Sequence, residues 1–204
     1  MSNPLKPMVK TARWIVRFCR SFWLSRRGVS AGPNLVTQGR ILVYRSKGSR
    51  IELGARIVLN ARPGKNTLEA RGPVILRTFR PGAEIIVGDD SGLTSCTISS
   101  GLSVELGRRV LLGGGVVITD SDHHVVDIAS GRRFAGLPHA ANDRPVKIGD
   151  DVFIGARSII LKGVEIGNGS VIGAGSVVSA SIPAGVVAAG NPCTVLRPLR
   201  EAGQ

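Results

Sequence analysis

Between Ile118 and Ile148 the chain gathers its chemically active side chains. Asp120, Asp122, His123, His124, Asp127, Arg132, Arg133, His139, Asp143 and Arg144 fall in one stretch that also holds Pro138 and Pro145. All 3 histidines of the protein lie in it. An imidazole takes and returns protons near neutral pH without special tuning, and a carboxylate close by, here Asp122 or Asp120, can hold one of its tautomers. The pattern points to acid–base chemistry. Thiol and disulfide chemistry fit poorly. Cys19, Cys96 and Cys193 are an odd set at wide spacing, with neither a disulfide framework nor a zinc motif, and they suit a cytoplasmic protein.

The elements that must carry this stretch are announced by a repeat of period six. Ile148, Ile154, Ile160, Ile166, Ile172 and Val178 are six beats in one register, and Gly149, Gly155, Gly167 and Gly173 follow four of them directly. Val152, Ser158, Val164, Ser170, Ser176 and Ile182 occupy the fourth place after each beat. Neither a helix nor an ordinary strand has this period. Short strands joined by tight corners do, with each beat pointing into a shared aliphatic column and glycine easing the corner dihedrals. Leu106, Leu112 and Ile118 extend the register upstream, and Leu53–Leu59 and Val87–Leu93 are shorter fragments of it. The array is expected from about residue 40 to about 192, interrupted once. Ile118 and Ile148 stand a whole number of repeats apart, so the polar segment between them reads as a loop thrown out from a rigid scaffold, where binding and catalysis concentrate. His124 falls on the beat after Ile118, where an aliphatic is due.

Charge is confined to one end. Of 27 basic residues, 11 precede the first acid, Glu52, whereas the other 16 nearly cancel the 14 acidic residues. The net charge of +13 is therefore an amino-terminal property, and no nucleic-acid recognition motif accompanies it. Met8 to Leu24 can form a basic amphipathic helix, with Lys10, Arg13, Arg17 and Arg20 on one face and Ile15, Phe18, Cys19 and Phe22 on another. Such a helix suits peripheral membrane contact through residues 8–27 on the inner face of the membrane, or packing on the prism or a neighbouring subunit. It is too short and too charged to span a bilayer. The expected organisation is an amino-terminal helix over 1–30, a repeat domain over 31–198 with an excursion loop at 125–145, and a tail over 199–204.

The runs Val146-Lys-Ile-Gly-Asp-Asp-Val-Phe-Ile-Gly-Ala, Ile166-Gly-Asn-Gly-Ser-Val-Ile-Gly-Ala-Gly-Ser and Ala188-Ala-Gly-Asn-Pro-Cys-Thr-Val-Leu-Arg resemble the hexapeptide-repeat acyltransferases. The resemblance spans roughly residues 85 to 198 and is nearest to the sugar O-acetyltransferases of polysaccharide biosynthesis. It implies an all-β protein, a left-handed parallel β-helix assembled as a homotrimer, with acetyl-CoA as co-substrate and a small-molecule or lipid-linked sugar as acceptor. No metal is expected. The family's Asp-x-His signature matches Asp122-His123-His124 and implies His124 as the general base, with His123 competing for that role. By the same resemblance Ala156 and Ala174 meet the pantetheine arm, Ser179 follows in the next corner, Asn191-Pro192 turns the tail back, and Arg197 faces a cofactor phosphate. Phe153 stands where the family usually has tryptophan.

The chain departs from the galactoside and maltose branch. Thr97 to Leu102 holds no acid where that branch carries a carboxylate, and Ala180 replaces a basic residue. A free-galactoside acceptor is thus not expected. Two other classes use such a scaffold: a non-catalytic β-helix serving as an assembly module, and a zinc hydratase of the γ-carbonic-anhydrase type. The hydratase needs a His-x4-His pair with a distant third histidine, a spacing that His123, His124 and His139 lack.

Overall fold

A computed structural model of the protein describes residues 22–64, 68, 71–124 and 139–199. The period of six resolves into a three-sided prism in which successive short strands take successive faces. The first face stacks β1 (Val29–Ala31), β4 (Arg50–Leu53), β7 (Glu84–Val87), β10 (Ser103–Leu106), β13 (Val146–Ile148) and β16 (Glu165–Ile166). The second stacks β2 (Val36–Gly39), β5 (Val58–Ala61), β8 (Gly92–Thr94), β11 (Leu111–Leu112), β14 (Phe153–Ile154) and β17 (Val171–Ile172), and is closed by β19 (Val186–Gly190) and β20 (Cys193–Pro198). The third stacks β3 (Ile41–Tyr44), β6 (Val74–Thr78), β9 (Thr97–Ser100), β12 (Val117–Thr119), β15 (Ile159–Ile160) and β18 (Val177–Val178). Among the described residues every pairing between coils is parallel, and only the β19–β20 hairpin runs antiparallel. The architecture is a left-handed parallel β-helix.

The beats build its core. Leu106, Leu112, Ile118, Ile148, Ile154, Ile160, Ile166, Ile172 and Val178 are all buried and belong to one aliphatic cluster. Each such side chain withdrawn from water contributes roughly 1.5–3 kcal/mol, so the column suffices without large aromatic rings. The fourth-place residues also point inward. Where they are serines the hydroxyls are satisfied by backbone: Ser158 donates to the Gly173 carbonyl at 3.0 Å and Ser170 to that of Pro183 at 2.7 Å.

Two expectations change. The first coil is already formed by β1 to β3, so the array begins at Val29 rather than near residue 40, and β1 starts inside the segment assigned to the amino-terminal helix. Most of that helix lies outside the described residues. Its visible end, residues 22–26, is helical, and it buries Leu24 in the prism core while leaving Phe22 and Trp23 exposed. The reason for the glycines also changes. Gly149, Gly155, Gly167 and Gly173 have no positive φ. Stacking explains them, since a Cβ on Gly155 would stand 2.5 Å from the Ala174 nitrogen of the next coil. The left-handed corner position comes two residues after such glycines, and charged side chains occupy it at Arg56, Asp90, Arg109 and Asp151.

Candidate active site

The polar stretch leaves the prism at the corner between the third and first faces. Thr119 ends β12, and Asp120, Ser121 and Asp122 lead away from it. Asp120 is fully buried and binds the same corner one coil earlier: its carboxylate accepts the Gly101 N–H at 2.6 Å, the Leu102 N–H at 2.8 Å and the Ser100 hydroxyl at 2.7 Å. Both oxygens are spent on backbone and hydroxyl donors, which corrects the expectation that Asp120 could hold an imidazole. Asp122 is exposed and pairs with the ammonium of Lys162, at the same corner one coil later.

His123 is anchored by other means. Its Nε2 lies 2.9 Å from the Thr119 hydroxyl, and its ring is tilted against Phe79 at 5.2 Å between centroids. The Thr119 hydroxyl also lies 3.0 Å from the Ser121 carbonyl and accepts the Ser121 N–H at 3.2 Å, so it ties the ring to the exit limb. His124 is exposed. It does not occupy the next inward place after Ile118; Ile148 does, because the excursion is inserted in a corner and the coil resumes at β13. The beat count therefore marks where the chain departs, not a histidine set into the core.

Residues 125–138, which include Asp127, lie outside the described residues. The chain returns through exposed His139, a short 3-10 turn at Ala140–Asn142, and buried Asp143. The Arg144 N–H donates to the Asp120 carbonyl at 3.0 Å, so the exit and return limbs lie side by side. Arg80 reaches Asp143 from two coils below, with Nε 2.7 Å from Oδ2. Sequence reasoning did not single out Phe79, Arg80, Gly101, Thr119 or Lys162. Apart from Thr119, which meets His123 four residues on, their partners sit one or two coils away, at separations that no local motif encodes.

The residues assigned to the cofactor occupy other places. Ala156 and Ala174 stack one coil apart at the corner between the second and third faces, where the Gly175 N–H donates to the Ala156 carbonyl at 2.8 Å. The Asn191–Pro192 turn, with a cis peptide bond, lies beside that corner, where the Gly190 N–H donates to the Ser176 hydroxyl at 3.1 Å. Phe153 projects outward from the second face, in register with Leu111 and Val171. Arg197 pairs with Val187 along the hairpin and is exposed. Ser179 is exposed just after β18, on the corner shared with Asp122 and His123. One prism thus gathers Asp122, His123, His124 and Ser179 at one corner and Ala156, Ala174, Asn191 and Pro192 at another, with the third face between them. Burial pushes the Cys96 thiol up to about 12 and raises that of Cys193, so neither is a ready nucleophile.

Fold and site define a class, a β-helix of hexapeptide repeats with a polar excursion at one corner. A family profile described as the hexapeptide repeat of succinyl-transferase matches residues 84–120 and 145–180, the stretches on either side of that excursion. The chain is 43% identical over 121 residues to a protein of Saccharomyces cerevisiae provisionally named an acetyltransferase, covering 59% of each chain. A second relative, from Mycobacterium tuberculosis and named in the same provisional way, is 29% identical over 185 residues, covering 86% of this chain and 56% of its own. The chain thus spans little more than half the length of these relatives. Over 76 residues it is 42% identical to the 2,3,4,5-tetrahydropyridine-2,6-dicarboxylate N-acetyltransferase of Staphylococcus aureus, covering 37% of this chain and 32% of that enzyme. Among solved structures, the polySia specific acetyltransferase NeuO superposes with a TM-score of 0.59 at 20% identity, covering 86% of this chain and 78% of its own. A galactoside acetyltransferase in complex with coenzyme A gives 0.53 at 22%, covering 98% and 74%. A maltose O-acetyltransferase from Clostridium difficile gives 0.52 at 26%, covering 86% and 73%. The chain thus has the left-handed β-helix fold and, over part of its length, is similar to proteins named as acetyltransferases.

Proposed function

We propose that this protein is an acetyl-CoA-dependent O-acetyltransferase acting on a hydroxyl of a sugar or glycan precursor, with His124 as general base in a ternary complex. One observation carries the reading: the excursion between the two profile-matched blocks begins with an exposed imidazole at the edge of a rigid prism. A sugar hydroxyl is a weak nucleophile near neutrality. His124 takes its proton as the oxygen attacks the thioester carbonyl, the C–S bond breaks, and the proton leaves with the CoA thiol. A free coil-edge N–H is the kind of donor that stabilises the oxyanion.

The separation of the two corners supports a homotrimer. The base and the small-residue wall are divided by the third face, and a neighbouring copy can bring its wall to this chain's base. The outward residues favour such contact on the second and third faces, where Val58, Leu111, Phe153 and Ile159 are exposed apolar side chains. The first face instead presents Arg50, Glu52, Glu84, Glu105, Lys147 and Glu165, which suit water. At the base of the prism, exposed Phe22 and Trp23 lie under the guanidiniums of Arg26 and Arg27, an arrangement that suits peripheral contact with anionic lipid. Among the described residues no helix is long and apolar enough to cross a membrane.

Release of CoA thiol from acetyl-CoA in the presence of a panel of sugars and amino sugars tests the reading. Activity that falls about 10²- to 10⁴-fold in His124→Ala supports it. No turnover by the wild type with any acceptor sinks it. The N-acetyltransferase similarity gives a second reading, in which the acceptor atom is an amine; amino sugars outrunning their hydroxyl counterparts would select it.

A further inference from the structure

We propose that His123 is a positioning residue: a notch formed by Phe79, Gly101 and the part-buried Arg80–Asp143 ion pair fixes its ring, and through it the adjacent His124 imidazole. The inference rests on His124 being the base, and it deepens that reading.

His123 has φ of +61°, a left-handed backbone uncommon for a residue with a side chain, and its surroundings hold it there. Three contacts do so: the His123 N–H donates to the Ser121 hydroxyl at 3.4 Å, Nε2 is hydrogen-bonded to the Thr119 hydroxyl, and the ring lies against Phe79. Phe79 is in place because Gly101, one coil later, has no side chain: a Cβ there would stand 2.7 Å from Phe79 Cζ and 2.7 Å from Asp143 Oδ2. A single glycine therefore makes room both for the shelf under His123 and for the carboxylate at the root of the return limb. Asp143 is 3% exposed and Arg80 reaches it from 63 residues earlier. The second Asp143 oxygen is buried and has no hydrogen-bond partner among the described residues.

A part-buried pair left partly unsatisfied is poor at stabilising a fold, because desolvation offsets the attraction. What it does well is fix two distant segments in one geometry. Arg80 follows Phe79 directly and its guanidinium carbon lies 5.5 Å from that ring's centroid. The same corner that supports His123 thus grips Asp143, and the exit and return limbs are bound to one post.

The test uses the full chain with ¹⁵N-labelled histidine, together with steady-state kinetics. His123→Ala and Gly101→Ala should each lower kcat about 10- to 100-fold, with KM for acetyl-CoA within about twofold and the acid limb of the pH–rate profile unmoved. His123→Asn, which tolerates a left-handed backbone and offers an amide donor to Thr119, should recover most of the loss. In Gly101→Ala and in the isosteric Asp143→Asn, the His123 ring nitrogens should shift while those of His139 stay. A folded His123→Ala with wild-type kcat, or a His123→Asn no better than the alanine, overturns the proposal. An acid limb lost in His123→Asn would make His123 the base. Should the wild type turn over no acceptor, the reading of function fails and the nitrogen spectra still decide. Unmoved His123 signals in Asp143→Asn would refute the notch even if Gly101→Ala does not fold.

Discussion

Lys162 holds Asp122 across one coil of the prism. The same ammonium donates to the Asn142 carbonyl at 3.2 Å, so a single side chain ties the chain's exit from the prism to its return. Asp122 and Lys162 are partly exposed, with side chains 53% and 30% accessible, and a pair of that kind contributes only about 0–1 kcal/mol to stability. Its consequence lies in geometry rather than in folding energy.

Lys162→Met should therefore leave the melting temperature nearly unchanged while slowing acetyl transfer, by roughly 3- to 30-fold if the His124 root is displaced by a fraction of an ångström. Lys162→Arg keeps the charge and should retain most activity. A large stability loss in Lys162→Met, with activity intact per folded molecule, would assign the pair to the fold.

Glycines of two kinds can be told apart by substitution. Gly155 is needed for the close approach of the next coil, and its replacement by alanine or asparagine should cost on the order of 1–3 kcal/mol through overpacking. Gly175 has φ of +72° and open space where a Cβ would be. Asparagine, which populates that backbone region, should be tolerated there far better than alanine. Chemical denaturation of the four variants measures this, and equal costs for asparagine at both sites would contradict it.

Corner carboxylates give the protein a predictable response to acid. A bidentate contact from Arg56 holds Asp90 below the usual carboxylate range, the Arg108 backbone N–H does so for Asp150, and Arg109 for Asp151. A carboxylate depressed in the folded state stabilises it above the unfolded value, near 3.9, and that contribution is lost as pH falls through the depressed one. Asp150→Asn should then lower the melting temperature at pH 7, with a gap that closes below about pH 4. A gap of the same size at pH 3.5 would show that the carboxylate's charge is not what stabilises.

The column was plain in the sequence because one beat per strand must be aliphatic, and Ile148 to Val178 keep the register without a slip. The excursion was equally plain, since Asp120, Asp143 and the histidines cannot sit in such a column unpartnered. What stayed hidden depends on how long each coil is. Arg56 meets Asp90 after 34 residues and Arg109 meets Asp151 after 42, so corner partners have no fixed offset. For the same reason Phe79, Arg80 and Gly101 carry no local signal of their place under His123. The role of Asp120 was misjudged because its donors, Gly101 and Leu102, are backbone amides that any sequence supplies. The first coil carries no such signal because its beats, Ala31, Thr37 and Val43, keep the spacing of six while only the last is a branched aliphatic.

We infer that base and cofactor wall lie on different corners and are completed by different copies of the chain. Mixing two inactive variants tests it most directly: His124→Ala, and Ala174→Trp to block the wall. After co-refolding, the rate of CoA thiol release with the best wild-type acceptor should rise well above that of either variant alone, because some interfaces then pair an intact base with an intact wall. A mixture no more active than its parents, with mixed oligomers shown to be present, would contradict the account.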